Sequence, residues 1–253
     1  MQEAAIEAST ALGFSPEWYR EHGVGWVVRR LSVRYLSPVT YGDEVVITTW
    51  ISGVRGVRST REYDLTRSRD GARVARGRAE WVFMDAVSGQ PIRVPDEWAA
   101  VYATKDKLEE LGVRLDGPHP TTDAHRYTSR RRVQFHELDL VQHVNHAVYL
   151  QWAGQARFDA LQAAGHPLER MLQTGHEIQY FAPALDNENI EIVSWVCELG
   201  QMGVAWTHEI SNTDTRKLLA RAYSPMVFLN AEGQPAIVPP QTIEDVLRGP
   251  RGS

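Results

Sequence analysis

Laid over itself at an offset of 145 residues, the chain repeats. "VRYLSPVTYGDEVVITTW" (Val33 to Trp50) falls on "IQYFAPALDNENIEIVSW" (Ile178 to Trp195), setting Tyr35 on Tyr180, Pro38 on Pro183, Ile47 on Ile192 and Trp50 on Trp195. Without a gap, "ARGRAEWVFMD" (Ala75 to Asp85) falls on "ARAYSPMVFLN" (Ala220 to Asn230), and one deletion later "GQPIRVP" (Gly89 to Pro95) falls on "GQPAIVP" (Gly233 to Pro239). Such self-similarity means one structural plan used twice, and 253 residues give room for two units of ordinary domain size.

The plan can be read from periodicity. Each half offers four β-rich runs, at 26–36, 43–54, 57–69 and 73–85, then at 175–182, 189–199, 203–213 and 216–229. They are rich in Val, Ile, Thr, Tyr and Trp and are broken by turn formers such as "SRDG", "NTDT" and "AVSGQP", the pattern of an antiparallel meander. Ahead of the second set lies one long helical pattern, with Asn145 as N-cap, Gly165 as stop and Pro167 just beyond. A helix between those signals would run about 28 Å. It carries Ala147, Gly154, Ala156, Ala160, Ala163 and Ala164, small enough to let a curved sheet wrap closely, although the helix propensity of Ala explains them nearly as well.

The fold class is therefore α+β, divided as 1–99 (first half), 100–125 (a linker opening with a short amphipathic helix), 126–240 (second half) and 241–253 (tail). Setting "ALGFSP" (Ala11 to Pro16) on "AAGHPL" (Ala163 to Leu168) places Met1 opposite Ala153. The first half then has no counterpart to residues 126–152.

A net charge of −5 gives no support to a strongly basic nucleic-acid binder. The lone Cys197 excludes an internal disulfide and any multi-cysteine metal centre, and suits a reducing compartment. "MQEAAIEAST" does not read as a signal peptide and no apolar run approaches membrane-spanning length, so the expectation is a cytoplasmic protein without membrane partners.

Polar chemistry concentrates in "HELDLVQHVNHAVYL", His136 to Leu150. Asp139 can activate water or cap a turn; His143 and His146 can act on a substrate or decorate a helix entrance; Asn145 suits an N-cap. Asp139, His143 and His146 as metal ligands are disfavoured, because His146 would turn away from His143 and no second carboxylate is evident. His136, His166, His176 and His208 read as structural or solvated. There is no G-x-S-x-G; Ser15 reads as a cap before Pro16, Cys197 as core filler, and "GVGW" and "GVRG" lack phosphate-loop spacing. The runs "RYTSRRR" (Arg126 to Arg132) and "RGVRSTR" (with Arg55, Arg58 and Arg61) are either docking patches for an anionic partner or solvated strand faces. Trp26, Trp50 and Trp81 suit either a substrate tunnel or core packing.

A long helix followed by antiparallel strands, preceded by a strand ending in "LDLVQHVNHAVYL", resembles the hotdog-fold thioesterases. The tandem arrangement, with "QEAAIEASTALGFSPEW" and "GVGWVVRRLSVRYLSPVTYGDEVVITTWISGVRGVRSTREYDL" in the first half, resembles the fatty acyl-ACP thioesterases of plants and bacteria, over about residues 2 to 240. The resemblance implies a tandem (double) hotdog, two curved antiparallel sheets each wrapped around a long helix. Its first hotdog would be incomplete by roughly 25 to 30 residues, one strand and half a helix, on the repeat logic. It implies hydrolysis of fatty acyl-ACP to free fatty acid and ACP, without cofactor or metal, by a monomer (an internal pseudo-dimer) or a homodimer. The family segment Asp-x-Asn-x-His followed by Val-Asn assigns catalysis to Asp139, His143 and Asn145. His146, Ala147, Tyr149 and Trp152 are then expected to meet the substrate, the amides near His146 and Ala147 facing the oxyanion. Val141 stands where the family has Asn, and Ala182 and Pro183 where it has Glu and Cys. Glu177, the nearest acid, lies an odd five residues away and so on the opposite face of a regular strand. Those departures keep two alternatives in view: a hotdog acyl-CoA thioesterase, and a non-catalytic acyl-thioester binding protein.

Overall fold

The computed structural model describes residues 1–102, 111, 119–120, 123–139, 142–164, 171–237, 245 and 247–249. The chain divides into two compact units, Met1–Gly112 and Val113–Ser253. In the first, helices α1 (Gln2–Thr10) and α2 (Pro16–Glu21) precede strands β1 (Val24–Tyr35), β2 (Val45–Arg55), β3 (Arg58–Arg67) and β4 (Arg73–Asp85) and a short helix α3 (Asp96–Val101). The strands pair antiparallel in the order β2-β3-β4-β1. Ser15 caps α2 as its sequence suggests, Oγ accepting from the Trp18 N–H at 3.2 Å with Pro16 in the first turn. Phe14, Ile51 and Tyr102 form a core cluster against which Trp18, Tyr19, Val54 and Trp98 pack. Glu62, fully buried in β3, is held by Arg78 Nε and Ser52 Oγ, both at 2.9 Å.

The second unit contains β5 (His119–Pro120), β6 (Tyr127–Arg132), a 3-10 turn (Phe135–Glu137), α4 (His146–Ala163), β7 (Met171–Gln173), β8 (Gly175–Tyr180), β9 (Asn189–Leu199), β10 (Gly203–Asn212) and β11 (Leu218–Phe228). Its order is β8-β11-β10-β9, with β5 and β6 pairing along the far side of β9 and β7 along β11. Under the 145-residue offset β1 becomes β8, β2 becomes β9, β3 becomes β10 and β4 becomes β11, so the two units share one strand order. They also share register. Tyr35 opposes Ala75 and Tyr180 opposes Ala220; Ile47 opposes Leu65 and Ile192 opposes Ile210; Glu62 opposes Arg78 and Thr207 opposes Tyr223. A slip of one residue would send every side chain to the other face, so equal register preserves the core pattern of both sheets.

Helix α4 lays Tyr149, Trp152, Ala153, Ala156, Arg157, Ala160 and Leu161 inward, the three-and-four spacing of one helical face. It packs on β6, β9, β10 and β11. Of the small residues singled out in the sequence, Ala156 and Ala160 are buried here, joined by Ala153, while Ala147 and Ala163 are exposed and Gly154 is half-buried. Close approach to the sheet therefore rests on three alanines; helix propensity covers the others. Beneath the helix, Tyr127, Leu161, Val196, Trp206, Met226 and Phe228 belong to one core cluster.

That inner face is not wholly apolar. Arg157 Nη2 donates to Gln173 Oε1 at 2.9 Å, and the Gln173 amide lies 3.0 Å from His176 Nδ1. Ser194 Oγ meets His208 Nδ1 at 2.8 Å, both residues fully buried. Burial, seconded by the positive charge of Arg157, brings His176 down to about 4 and His208 down to about 3. Both histidines are therefore neutral, structural residues near neutral pH.

Some boundaries differ from expectation. A short helix, α3 at Asp96–Val101, precedes the expected linker, and the short helix expected to open that linker falls mostly outside the described residues, as do residues 103–110, 112–118 and 121–122. So do Gly165, His166 and Pro167, the expected stop. Strands β5 and β7 span two and three residues, too few to show a period.

Candidate active site

Chain direction reverses between the 3-10 turn and α4. Leu138 and Val144 form an antiparallel bridge; the Asp139 N–H donates to the His143 carbonyl at 2.8 Å, and the Gln142 N–H donates to the Asp139 carbonyl at 3.0 Å. Gln142 closes the loop at φ +61, in the left-handed region that a long side chain enters only under tertiary constraint. Leu140 and Val141 lie outside the described residues, and with Val141 the substituted family position. The loop delivers Asp139 half-buried.

Asn145 is the N-cap expected of it, its Oδ1 accepting from the Ala147 N–H at 3.0 Å. This commits the Ala147 amide to the cap. The Val148 N–H goes to the Asn145 carbonyl at 2.9 Å, a second first-turn amide satisfied by the capping residue. Of the two amides expected to meet an oxyanion, that of Ala147 is therefore taken up by the cap.

The electrostatics join Asp139 to His146 and Tyr149. Burial pushes the His146 imidazole below its ordinary value, while the Asp139 carboxylate pulls it upward less strongly. His146 is thus a neutral imidazole at neutral pH within the field of a carboxylate. The Tyr149 hydroxyl is pushed up to about 12 by burial, with the negative charges of Glu188 and Asp139 acting the same way. His143 pairs its backbone with Leu185 and is half-buried. The Asp139–His143 partnership expected from the family segment is therefore joined by Asp139–His146, the neighbour whose charge coupling the fold makes visible.

Glu188 revises a second expectation. No second carboxylate was evident along the sequence, yet the turn before β9 folds Glu188 back so that its Oε2 accepts from the Leu185 N–H at 3.0 Å and its charge reaches Tyr149. Glu177 pairs with Tyr223 on β11. Ala182 donates its N–H to the Leu219 carbonyl at 3.3 Å and supplies no acid. Among the described residues, no group of three His, Cys, Asp or Glu side chains is disposed to hold a metal ion.

Tyr149 and Trp152, expected to meet the substrate, are buried to within 2% and spend their polar atoms on the loop. The Tyr149 hydroxyl accepts from the Ala184 N–H at 2.7 Å, and the Ala184 carbonyl accepts from the Val144 N–H at 3.0 Å. Trp152 Nε1 donates to Glu137 Oε1 at 2.9 Å, and Tyr180 donates its hydroxyl to the His146 carbonyl at 2.7 Å. Glu137, buried and absent from the sequence-based candidates, also pairs with Arg131 and accepts from the Gln134 N–H at 2.9 Å. The Arg131 guanidinium lies 4.7 Å over the Trp152 ring. The signal for Glu137 was present in the spacing Gln134-x-x-Glu137, a capping box. Replacing Glu137 with alanine leaves an indole N–H and a half-buried guanidinium unmatched, so a loss of about 3 kcal/mol of unfolding free energy is expected. Denaturant unfolding of Glu137→Ala beside Glu137→Gln checks it, the amide retaining part of the loss.

Elsewhere the expected features sort by exposure. Arg61, read as part of a docking patch, is buried and donates to Thr49 Oγ1 and Ser9 Oγ, both at 3.4 Å, so it serves the core of the first unit. Arg126 lies 4.1 Å over the Trp195 ring. Cys197 is half-buried and donates to the Ala205 carbonyl, and burial raises its thiol, which suits filler rather than a nucleophile.

A long helix laid across an antiparallel meander, with a polar loop at its N-terminus, is the architecture of the thioesterase-like superfamily, whose family model matches residues 133–247. Residues 1–102 match the model of the acyl-ACP thioesterase N-terminal domain. The chain is thus similar to the acyl-ACP thioesterases over its first unit and to the thioesterase-like superfamily over its second, and its fold is the tandem double hotdog. It is 27% identical over 171 residues to a chloroplastic palmitoyl-acyl carrier protein thioesterase of Cuphea hookeriana, an alignment taking in 60% of this chain and 39% of that protein. The chain thus spans well under two thirds of the curated relatives it matches. By structure it resembles the 12:0-ACP thioesterase of Umbellularia californica, with a TM-score of 0.71 at 19% identity, covering 89% of this chain and 86% of that one. It also resembles an acyl-ACP thioesterase of Bacteroides thetaiotaomicron, with a TM-score of 0.66 at 16% identity, covering 88% and 84%. These two likenesses speak to the fold.

Proposed function

We propose that this chain hydrolyses a fatty acyl thioester borne on an acyl carrier protein, releasing free fatty acid and the carrier thiol. The observation that carries the reading is the placement of the half-buried Asp139 on the loop at the mouth of α4, where its charge acts on the buried His146 imidazole. In this reading Asp139 takes a proton from water as the water oxygen bonds to the acyl carbon. The tetrahedral oxyanion forms against the His146 amide, where the helix dipole favours negative charge. Collapse breaks the carbon–sulfur bond, and the thiolate takes up a proton, with His143 and His146 the nearby groups able to relay it. Tyr149, Trp152 and Glu137 hold the loop in place. This chemistry calls for no cofactor.

The match of residues 1–102 to the acyl-ACP thioesterase N-terminal domain favours the carrier protein over coenzyme A as the acyl bearer. The test is hydrolysis of acyl-ACP and acyl-CoA of matched chain length, followed by thiol release. The reading predicts that kcat/KM for the carrier substrate exceeds that for the CoA ester by about tenfold or more, since charged carrier surface adds binding that CoA lacks. A preference for the CoA ester would move the function to the acyl-CoA alternative.

A further inference from the structure

A cleft of about 470 Å³ opens along the edge of the second unit where β6, β9 and the β10–β11 turn meet, lined among others by Arg130, Arg131, Arg132, Asn189, Glu191 and Arg216. Strand β6 pairs with β9 through Arg130↔Glu191, Arg131↔Ile190 and Arg132↔Asn189. Strand alternation puts Arg130 and Arg132 on one face and turns Arg131 to the other, where it meets Glu137. Arg216 arrives from the turn, at φ +59. Arg130 spends its charge on Glu191, at 2.9 Å, whereas Arg132 uses Nε on a neutral acceptor, the Asn187 carbonyl at 3.2 Å. With Arg131 turned away to Glu137, three arginines of the lining, Arg130, Arg132 and Arg216, stand against one carboxylate, Glu191, which leaves two positive charges in excess. Asp214 and Lys217 in the adjoining turn offset each other.

On a chain whose net charge is −5, such a concentration is local and opposed to the average. Its place is also specific. Arg132 and Asp139 are seven residues apart, so even a fully extended chain would separate them by no more than roughly 25 Å. Arg131 links the cleft to the catalytic loop through Glu137, and Glu137 to α4 through Trp152.

We propose that this arginine cleft docks the acidic face of the carrier protein that presents the acyl thioester, with Arg132 and Arg216 as its principal charges. The inference rests on the hydrolase reading for the identity of the partner. Screening by salt weakens such a contact, and rim charges of this kind act on encounter and hold register.

The test is the dissociation constant of holo-carrier protein, without an acyl chain, measured by fluorescence anisotropy on the full chain. Arg132→Glu/Arg216→Glu is expected to weaken binding by about tenfold or more, and Arg132→Lys/Arg216→Lys by far less; wild-type affinity should fall steadily with salt. Circular dichroism and the melting temperature establish that the variants fold. A folded charge-reversal variant that binds holo-carrier within about twofold of wild type overturns the proposal. So does an equal loss of affinity for coenzyme A, because the cleft would then read phosphate rather than the carrier surface. The ligand carries nothing to hydrolyse, so this outcome is independent of whether the chain is a hydrolase.

Discussion

Asp139→Ala is expected to lower kcat/KM on acyl-ACP by about 10² to 10⁴-fold, the range for losing a positioned general base. The carboxylate is half-buried at the tip of a loop whose backbone is already satisfied: its N–H is bonded to His143 and its carbonyl to Gln142. Removing the side chain takes away the charge and leaves those two backbone bonds in place. It also removes the negative field that pulls the His146 imidazole upward, so His146 should titrate lower in the variant than in wild type. Two readouts follow from one change. Steady-state kinetics should show the loss mainly in kcat, and proton NMR of the histidines should show the shift of His146. Asp139→Asn, which keeps the shape of the side chain, should be nearly as inactive, because the amide accepts no proton from water. If Asp139→Asn keeps most of the activity, Asp139 is a turn former and the chemistry lies elsewhere.

Acid should unfold this protein through two buried histidines. In the folded state burial holds His176 to about 4 and His208 to about 3, against an ordinary value near 6.5. As pH falls below 6.5 the unfolded chain takes up protons that the folded protein refuses, so stability is lost until the folded values are reached. At pH 5 each histidine sits about 1.5 pH units below its unfolded value, which amounts to about 2 kcal/mol each and about 4 kcal/mol together. That is a large fraction of the margin of an ordinary domain. Guanidinium unfolding at pH 7 and pH 5 should show the loss in wild type. His176→Gln/His208→Gln, less stable at pH 7, should show a much smaller difference between the two pH values. Equal losses in both proteins would mean that the histidines are solvated and that other groups set the acid limit.

The internal repeat made most of the fold legible. Because the 145-residue offset preserves both spacing and the alternation of apolar residues, strand order and register carry from one unit to the other, down to Tyr35–Ala75 and Tyr180–Ala220. Capping was equally legible, since Ser15 and Asn145 act locally, through bonds to amides two or three residues on. What the sequence hid is non-local. The charge of Glu188 acts on Tyr149 through the turn before β9, and that of Asp139 acts on His146 across the loop that Gln142 closes. Along the chain Tyr149 and Trp152 look like the first substrate-facing turns of a helix. In the fold the same side chains point at the loop and anchor Ala184 and Glu137. Buried Arg157 and His208 sit at positions that periodicity assigns to the core, and nothing in the period distinguishes an apolar occupant from a hydrogen-bonded polar one.

Single-turnover mixing of excess enzyme with acyl-ACP, quenched in acid and assayed for free fatty acid, tests the central claim most directly. The account predicts that wild type converts bound acyl-ACP to fatty acid in stoichiometric yield, and that Asp139→Asn binds the same substrate and leaves it intact through the same interval. Acyl-ACP that binds wild type and is recovered whole, at a rate of loss no greater than in buffer, would contradict it and make the chain an acyl-thioester binding protein.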